Sequence, residues 1–443
     1  MKCPQIIPRH ERRKRCVALA VALTVINLII IASYAQDKLR TIGTIRGTIS
    51  SAIGNLTETL MASSAITAAT VLEDGANHTD NRTKLIIDWT GFFGGSLTWH
   101  WEEERKNCPV DCVFTRNRTN YQQADAIVFH YRNQHWDDIP LVRYSFQRYV
   151  FFLQESPYHT GNMDKLRTRG AGFYNWTMTY RLDSDIHAPY LKPFTRRNEV
   201  LPFNHSLMAD LDTYISRKKL PVVWFVSNCE TPSGREQYVK ALQEYIQVDI
   251  YGYCGPLSCR KDKWKECNEV IRDNYRFYIA FENSVCVDYV TEKWSRMFDY
   301  WTVPIVLTRD TYQAYGLPAH SFIAADDFRS PKQLANYLKF LSDNDQAYRE
   351  FFEWRRYYEQ APTTIGGWCR MCLMVHNKSE PRKVYSNIHD WWADRRICRD
   401  KLGSALLQLA DQYSDFDLKL VIGVSATFLV LCAAFVIYTA FEL

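Results

Sequence analysis

The chain is 443 residues long, and what it lacks narrows its class first. No internal repeat is evident, which excludes a solenoid or a propeller. No nucleic-acid motif is present, and the net charge of +5 forms no basic face suited to DNA. Much of that excess sits in one cluster, Arg9, Arg12, Arg13, Lys14 and Arg15. The histidines, His159 near the acidic Glu155 among them, show no metal-ligand spacing. Cys369 and Cys372 have no second C-x-x-C at zinc spacing, so structural disulfides are preferred to a zinc site or a redox motif.

Charge is also missing from two long stretches. Residues 16–34 carry only Thr24, Asn27 and Ser33 as clearly polar side chains, and residues 420–441 carry no charge. Each is long enough to cross a hydrocarbon core of roughly 30 Å. The basic flank places residues 1–15 in the cytosol and the body on the other side. No small-x-small cleavage site follows the first run, so it reads as an uncleaved signal-anchor rather than a cleaved signal peptide. For residues 420–441 two readings stay open: a second span, or a lipid-anchor signal with Gly403, Ser404 and Ala405 as attachment site. Two single spans at opposite ends make no pore, so a channel is not expected.

Between these runs lie the sequons Asn55, Asn77, Asn81, Asn117, Asn175, Asn204 and Asn377, with none outside, which favours passage through the secretory pathway. Of 13 cysteines, Cys108, Cys112, Cys229, Cys254, Cys259, Cys267, Cys286, Cys369, Cys372 and Cys398 fall in the body. An even number in an oxidising lumen suggests disulfides, with the pairing open. Residues 35–83 are rich in Ser, Thr, Ala and Gly and read as a stem.

From Lys84 the pattern is α/β. Buried strands are expected at Leu85–Trp89, Ala126–His130, Tyr149–Leu153, Val222–Val226, Val248–Tyr251, Phe277–Phe281 and Val303–Leu307. Helices are expected at Arg235–Gln247, Asp288–Tyr300, Pro331–Leu341 and Gln346–Tyr358. A stretch with Pro189, Pro193 and Pro202 separates two blocks, which suggests two Rossmann-like halves facing a cleft.

One segment carries the chemistry: FYIAFENSVCVDYVTEK, followed by a strand containing Val303-Pro304. It resembles the donor-binding signature of the α-1,3-fucosyltransferases of family GT10, the invertebrate-type Golgi enzymes included. Glu155-Ser156-Pro157, the run Asn175 to Asp185 (NWTMTYRLDSD), Val226-Ser227-Asn228 and the run Ser321 to Phe328 match the same pattern in the same order. The resemblance covers roughly residues 84–375. It implies a GT-B fold: an acceptor-side domain at 84–215, a GDP-fucose-binding domain at 216–360 and a disulfide-bonded extension at 361–418. The terminal membrane helices come from the two apolar runs, and the second is a departure from the family's typical single-pass layout. The resemblance also implies bridges from Cys108 and Cys112 to Cys369 and Cys372.

The implied reaction moves L-fucose from GDP-β-L-fucose, with inversion, in α-1,3 linkage to a GlcNAc of a glycoprotein glycan. That needs a base, stabilisation of a positively charged sugar-like transition state, and neutralisation of a departing diphosphate. Glu155, at a strand end in an aromatic setting, is the candidate base, with a turn-capping carboxylate as the alternative. Arg181 and Lys293 are candidates for the diphosphate, with salt bridges to Asp183 or a neighbouring acid as alternatives. Amides at the start of the helix after Asp288 are expected to add to this. Ser227 and Asn228 supply neutral hydrogen bonds, Glu282 and Asn283 contact nucleotide or sugar, Tyr289 lines the donor pocket, and Glu292 binds sugar hydroxyls or stabilises charge.

Asp183-Ser184-Asp185 has the look of a D-x-D metal site, yet its place after Tyr180-Arg181 favours structural carboxylates. No metal or cofactor is required beyond the donor, and Mn2+ stimulation is left open. Leu182 stands where relatives commonly have Arg, and Thr308 where many have Gly. The expected setting is the Golgi membrane with a luminal body, the partners are donor and N-glycan or glycoprotein acceptor, and homodimerisation is left open. Two rivals remain: a transferase for another GDP-sugar, and a non-catalytic carbohydrate-binding descendant.

Overall fold

The computed structural model describes residues 71–72, 82–191, 193–202, 205–209, 211–259, 264–361 and 365–410. The apolar runs 16–34 and 420–441 lie outside them, as do the sequons Asn55, Asn77, Asn81 and Asn204. Among the described residues no helix is long and apolar enough to cross a membrane.

Two parallel sheets organise the body. The first joins β1 (Lys84–Asp88), β2 (Cys112–Thr115), β3 (Ala126–His130), β4 (Arg148–Leu153), β5 (Trp176–Thr179) and β6 (Ile186–His187) in the order β2-β1-β3-β4-β5-β6. The second joins β7 (Leu220–Phe225), β8 (Val248–Tyr251), β9 (Tyr275–Ile279), β10 (Val303–Val306) and β11 (Ile323–Ala324) in the order β8-β7-β9-β10-β11. Each sheet is covered on both faces, as parallel sheets require. In the first, Ile87, Ile127, Phe129 and Phe151 face one core and Ile86, Val128, Val150 and Phe152 the other. In the second, Val222, Phe277, Ile279 and Ile305 face one core and Val223, Tyr278 and Val306 the other.

Eight helices matter below. They are α1 (Thr98–Glu104), α2 (Met163–Arg169), α3 (Arg235–Leu242), α4 (Trp264–Asn274), α5 (Glu292–Ser295), α6 (Pro331–Asp343), α7 (Gly367–His376) and α8 (Ile388–Ala393). α6 starts where local chemistry says it should: the Ser330 side chain accepts from the Gln333 amide and Pro331 sits in the first turn. The helices α1, α2, α4, α7 and α8 and the strands β2, β5, β6 and β11 were not foreseen.

The expected helix Asp288–Tyr300 shrinks to α5 and a single tight turn, Phe298–Tyr300. Asp288 has φ of 60° and Trp301 of 49°, left-handed conformations that interrupt a right-handed helix. Likewise Gln346–Tyr358 becomes a helix at Asp345–Glu350 and a turn at Glu353–Arg356. Tyr358–Gln360 then pairs antiparallel with Phe194–Arg196, inside the proline-marked stretch between the two sheets.

The C-terminal part returns along the molecule. Trp368, Met371 and Met374 of α7 complete a core of the first sheet, and Ile388 and Trp392 of α8 complete its other core. Cys108–Cys369 and Cys112–Cys372 fasten α7, the pairing that the family resemblance implies. Val285–Cys286 pairs antiparallel with Cys398–Arg399, and Cys286 is bonded to Cys398. Leu402, Leu406 and Leu407 finally pack on the second sheet. Cys229–Cys254 and Cys259–Cys267 are local bridges.

One sequon is a structural residue. Asn175 is buried; its side-chain oxygen accepts from Arg143 and from the Tyr149 amide (2.8 Å), and its amide donates to the Lys383 carbonyl (2.8 Å). A buried amide held by three protein groups has no room for a glycan in the folded protein. Asn117 and Asn377 are exposed.

Candidate functional site

In an open parallel sheet the ligand crevice lies at the carboxyl ends of the strands, where strand order reverses. Here those points fall between β1 and β3 and between β7 and β9. Ser227 and Asn228 follow β7 and are exposed. Their loop is braced by Cys229–Cys254 and by Gly252. Gly252 has a φ of 102°, and the Val226 carbonyl lies 2.5 Å from where a Cβ would stand, so no side chain fits there.

Arg235, which sequence reasoning passed over, opens α3 and is buried. Its guanidinium donates to the Phe281 carbonyl (2.8 Å) and the Asn228 carbonyl (3.0 Å), tying together the loops after β7 and β9. An arginine at the first position of a helix that follows a strand-end loop was the available signal.

The loop after β9 holds the signature. Glu282 is 5% exposed and accepts from the Thr291 amide (2.8 Å), the Thr291 hydroxyl (2.8 Å) and the Lys293 ammonium (2.8 Å). It therefore organises the loop rather than offering itself to a ligand. It also takes the amide of Thr291, the N-cap residue of α5, and the helix expected from Asp288 begins only at Glu292. Lys293 further contacts the Thr291 hydroxyl (2.6 Å) and lies 3.7 Å from Glu292. Burial alone lowers the Lys293 ammonium pKa, but Glu282 and Glu292 outweigh it and the net direction is up. Glu292 is exposed; burial opposes its charge, and Lys293 and Arg296 more than compensate, so its pKa is lowered. The Asn283 side-chain oxygen is buried with no hydrogen-bond partner among the described residues.

Glu155 ends the loop after β4 and is half-buried. The next residue forms the seam between the two sheets: the Ser156 and Ser284 hydroxyls are 2.7 Å apart and buried. A second link joins the Leu182 amide to the Asp288 carboxylate at 3.0 Å. Tyr289 is buried edge-on against Tyr180, ring centroids 4.9 Å apart, so it packs the seam. Tyr190 donates to the Gln154 carbonyl at 2.7 Å. Burial, then the charges of Glu155, Glu292 and Glu282, push its phenol pKa up, so carboxylates from both halves converge around this ring.

Arg181 realises its structural alternative. It donates to both oxygens of Asp183 (2.8 and 2.6 Å) and to the Trp391 carbonyl, and stacks over the Trp391 ring. Asp185 accepts from the Thr177 amide (2.8 Å), the Tyr385 hydroxyl (2.8 Å) and Lys383 (2.7 Å). Both acids of the D-x-D are thus engaged by protein donors. Among the described residues Cys112, Cys372 and His376 cluster closely, but both sulfurs belong to a disulfide and offer no thiolate.

Two doubly wound sheets whose carboxyl-end loops meet in an acidic, aromatic seam give an α/β fold of the kind that places a ligand crevice at its strand ends. The profile described as "Glycosyltransferase family 10 (fucosyltransferase) C-term" matches residues 215–391, and "Fucosyltransferase, N-terminal" matches residues 81–191. The chain belongs to glycosyltransferase family 10. It is 38% identical over 301 residues to the glycoprotein 3-alpha-L-fucosyltransferase A of Drosophila melanogaster, covering 66% of this chain and 57% of that protein. It is 38% identical over 341 residues to the alpha-(1,3)-fucosyltransferase C of the same organism, covering 70% of this chain and 78% of that one. A crystal structure of an alpha1,3-fucosyltransferase with GDP-fucose aligns at 15% identity with a TM-score of 0.43, covering 73% of this chain and 96% of that one.

Proposed function

We propose that this protein transfers L-fucose from GDP-β-L-fucose, in α-1,3 linkage and with inversion, to a GlcNAc residue of a glycoprotein glycan, on a GT-B scaffold. Membership of the family supports the donor and the linkage. The observation that carries the mechanism is the Ser156–Ser284 seam, which sets the loop bearing Glu155 against the loop bearing the signature.

The acceptor hydroxyl attacks the anomeric carbon from the face opposite GDP. Glu155 takes its proton as the new C–O bond forms and the bond to the diphosphate breaks. Positive charge growing on the sugar is met by Glu292, and the departing diphosphate by Lys293, with Ser227 and Asn228 as neutral donors. Arg235 holds the loops that present these groups, and Arg181 holds the Asp183 turn. The reading assigns no step to a metal, and places the body in the Golgi lumen, tethered through residues 16–34.

Glu155→Gln tests it in the full-length protein. GDP-fucose binding should persist by calorimetry while transfer to a glycan array falls by roughly 100-fold or more. Normal turnover removes Glu155 as base. An unmodified protein that binds GDP but transfers nothing favours the carbohydrate-binding alternative.

A further inference from the structure

The stretch that the family profile matches ends at residue 391, and the mechanism above uses nothing beyond it. Yet residues 397–403 are stitched to the loops after β7 and β9. The Val287 amide donates to the Ile397 carbonyl (2.7 Å), the Lys401 amide to the Pro232 carbonyl (2.6 Å) and the Gly403 amide to the Ser233 carbonyl (2.8 Å). Val285 stands opposite Arg399 in the antiparallel pair that the Cys286–Cys398 bridge closes. Gly403 comes so near the start of α3 that a Cβ would lie 2.2 Å from the Gly234 carbonyl oxygen, so no side chain fits there. A backbone fixed at this many points presents its side chains from a settled position.

One of those side chains reaches the wall of the crevice. Arg399 Nη2 donates to the Thr308 hydroxyl (3.0 Å) and to the Asp310 carboxylate (2.8 Å), and the Thr308 hydroxyl itself donates to Asp310. Thr308 follows β10 and is 3% exposed. It lines a cavity with Glu282, Ser284, Tyr289 and Tyr312, so it shares a wall with the signature loop. A threonine has three staggered rotamers, and the one that turns its hydroxyl to Arg399 and Asp310 fixes what it shows to the cavity. Thr308 stands where many relatives have Gly, and a glycine needs no such clamp. The threonine and the arginine that holds it lie 91 residues apart in the chain.

We propose that Arg399 is a positioning residue for the donor. Acting through Thr308 and Asp310, it sets the β10 wall of the donor crevice from a segment outside the family profile. This rests on the GDP-sugar reading above and adds to it a residue that the signature does not contain. An ion pair whose side chains are 45% and 66% exposed contributes little to stability, so its loss should register in donor binding rather than in folding.

The test is steady-state kinetics of the full-length protein with GDP-fucose and one GlcNAc-terminated N-glycan, alongside thermal unfolding. Arg399→Ala should raise the KM for GDP-fucose roughly 5- to 20-fold, leave kcat and the acceptor KM within about two-fold, and move Tm by no more than about 3 °C. Arg399→Lys keeps the charge and a donor, and should recover part of the loss. On a Thr308→Gly background the change to alanine should cost less than about two-fold, because the side chain that Arg399 holds has gone. An unchanged KM for GDP-fucose in Arg399→Ala overturns the inference. So does an equal loss on both backgrounds, an Arg399→Lys protein no better than the alanine variant, or a fall in Tm large enough to account for the lost activity. In each of these cases the transferase reading stands. If the unmodified protein transfers fucose to no glycan on an array, that reading falls first and takes this one with it.

Discussion

Removing the Lys293 ammonium should do two separable things. Its partner Glu282 is 5% exposed, and Lys293 itself 22%. Breaking a buried pair by deleting one member costs about 3–5 kcal/mol, because the other charge stays buried and uncompensated. Here Thr291 keeps donating to Glu282, and the lysine reaches some solvent, which brings the cost to or just below the lower bound of that range: about 2–3 kcal/mol. At about 2–4 °C per kcal/mol, Lys293→Met should lower Tm by roughly 4–12 °C. Its GDP affinity should also fall, since a cation facing the diphosphate has gone. The double variant Glu282→Gln/Lys293→Met removes the stranded charge while the Gln carbonyl still accepts from Thr291. It should regain most of the lost Tm and none of the lost affinity. Scanning calorimetry at one fixed heating rate and titration with GDP read the two effects separately. A double variant that melts as low as the single one refutes the stranded-carboxylate argument. One that binds GDP like the unmodified protein refutes the phosphate role of Lys293.

Two further outcomes follow from burial. Glycopeptide mass spectrometry should find Asn117 and Asn377 occupied and Asn175 bare, and Asn175→Ala should destabilise the protein by about 2–4 kcal/mol in thermal unfolding by leaving Arg143, the Tyr149 amide and the Lys383 carbonyl without partners. His130 is buried, donates from Nδ1 to Asn133 (2.6 Å), and burial lowers its pKa from 6.5 to about 4. The unfolded chain therefore binds more protons than the folded one between those values, so stability should fall as pH drops from about 6.5 to about 4, by about 3 kcal/mol in all. His130→Phe should flatten that slope in pH-dependent denaturant titrations.

The strands legible in the sequence are those made of short, mostly apolar runs. Ala126–His130 and Val248–Tyr251 are observed with the expected bounds, and the other expected strands shift by one or two residues. β5 carries Thr177 and Thr179, and β6 and β11 have two residues each, too short for any period to show. The helix forecast after Asp288 failed on backbone geometry, a left-handed residue that an Asp tolerates without announcing it. Site residues were legible by type, but their pairing was not. Glu282 and Lys293 are eleven residues apart and meet only because the loop folds back through Thr291. For Arg181 both the diphosphate and the Asp183 salt bridge were legible in the sequence, and only the fold shows Asp183 taking its fork.

The path of α7 and α8 has a bearing on biosynthesis. The N-terminal sheet is the earlier one translated and the later one sealed: its strands end at His187, but the helix that closes its outer core ends at His376. At about 5–20 residues per second the nascent half-sheet waits roughly 10–40 s with Phe152, Trp176 and Met178 uncovered. During that interval Cys108 and Cys112 are adjacent thiols whose proper partners do not yet exist. The yield of this protein is then decided by how well those two thiols are kept from wrong partners until α7 is made.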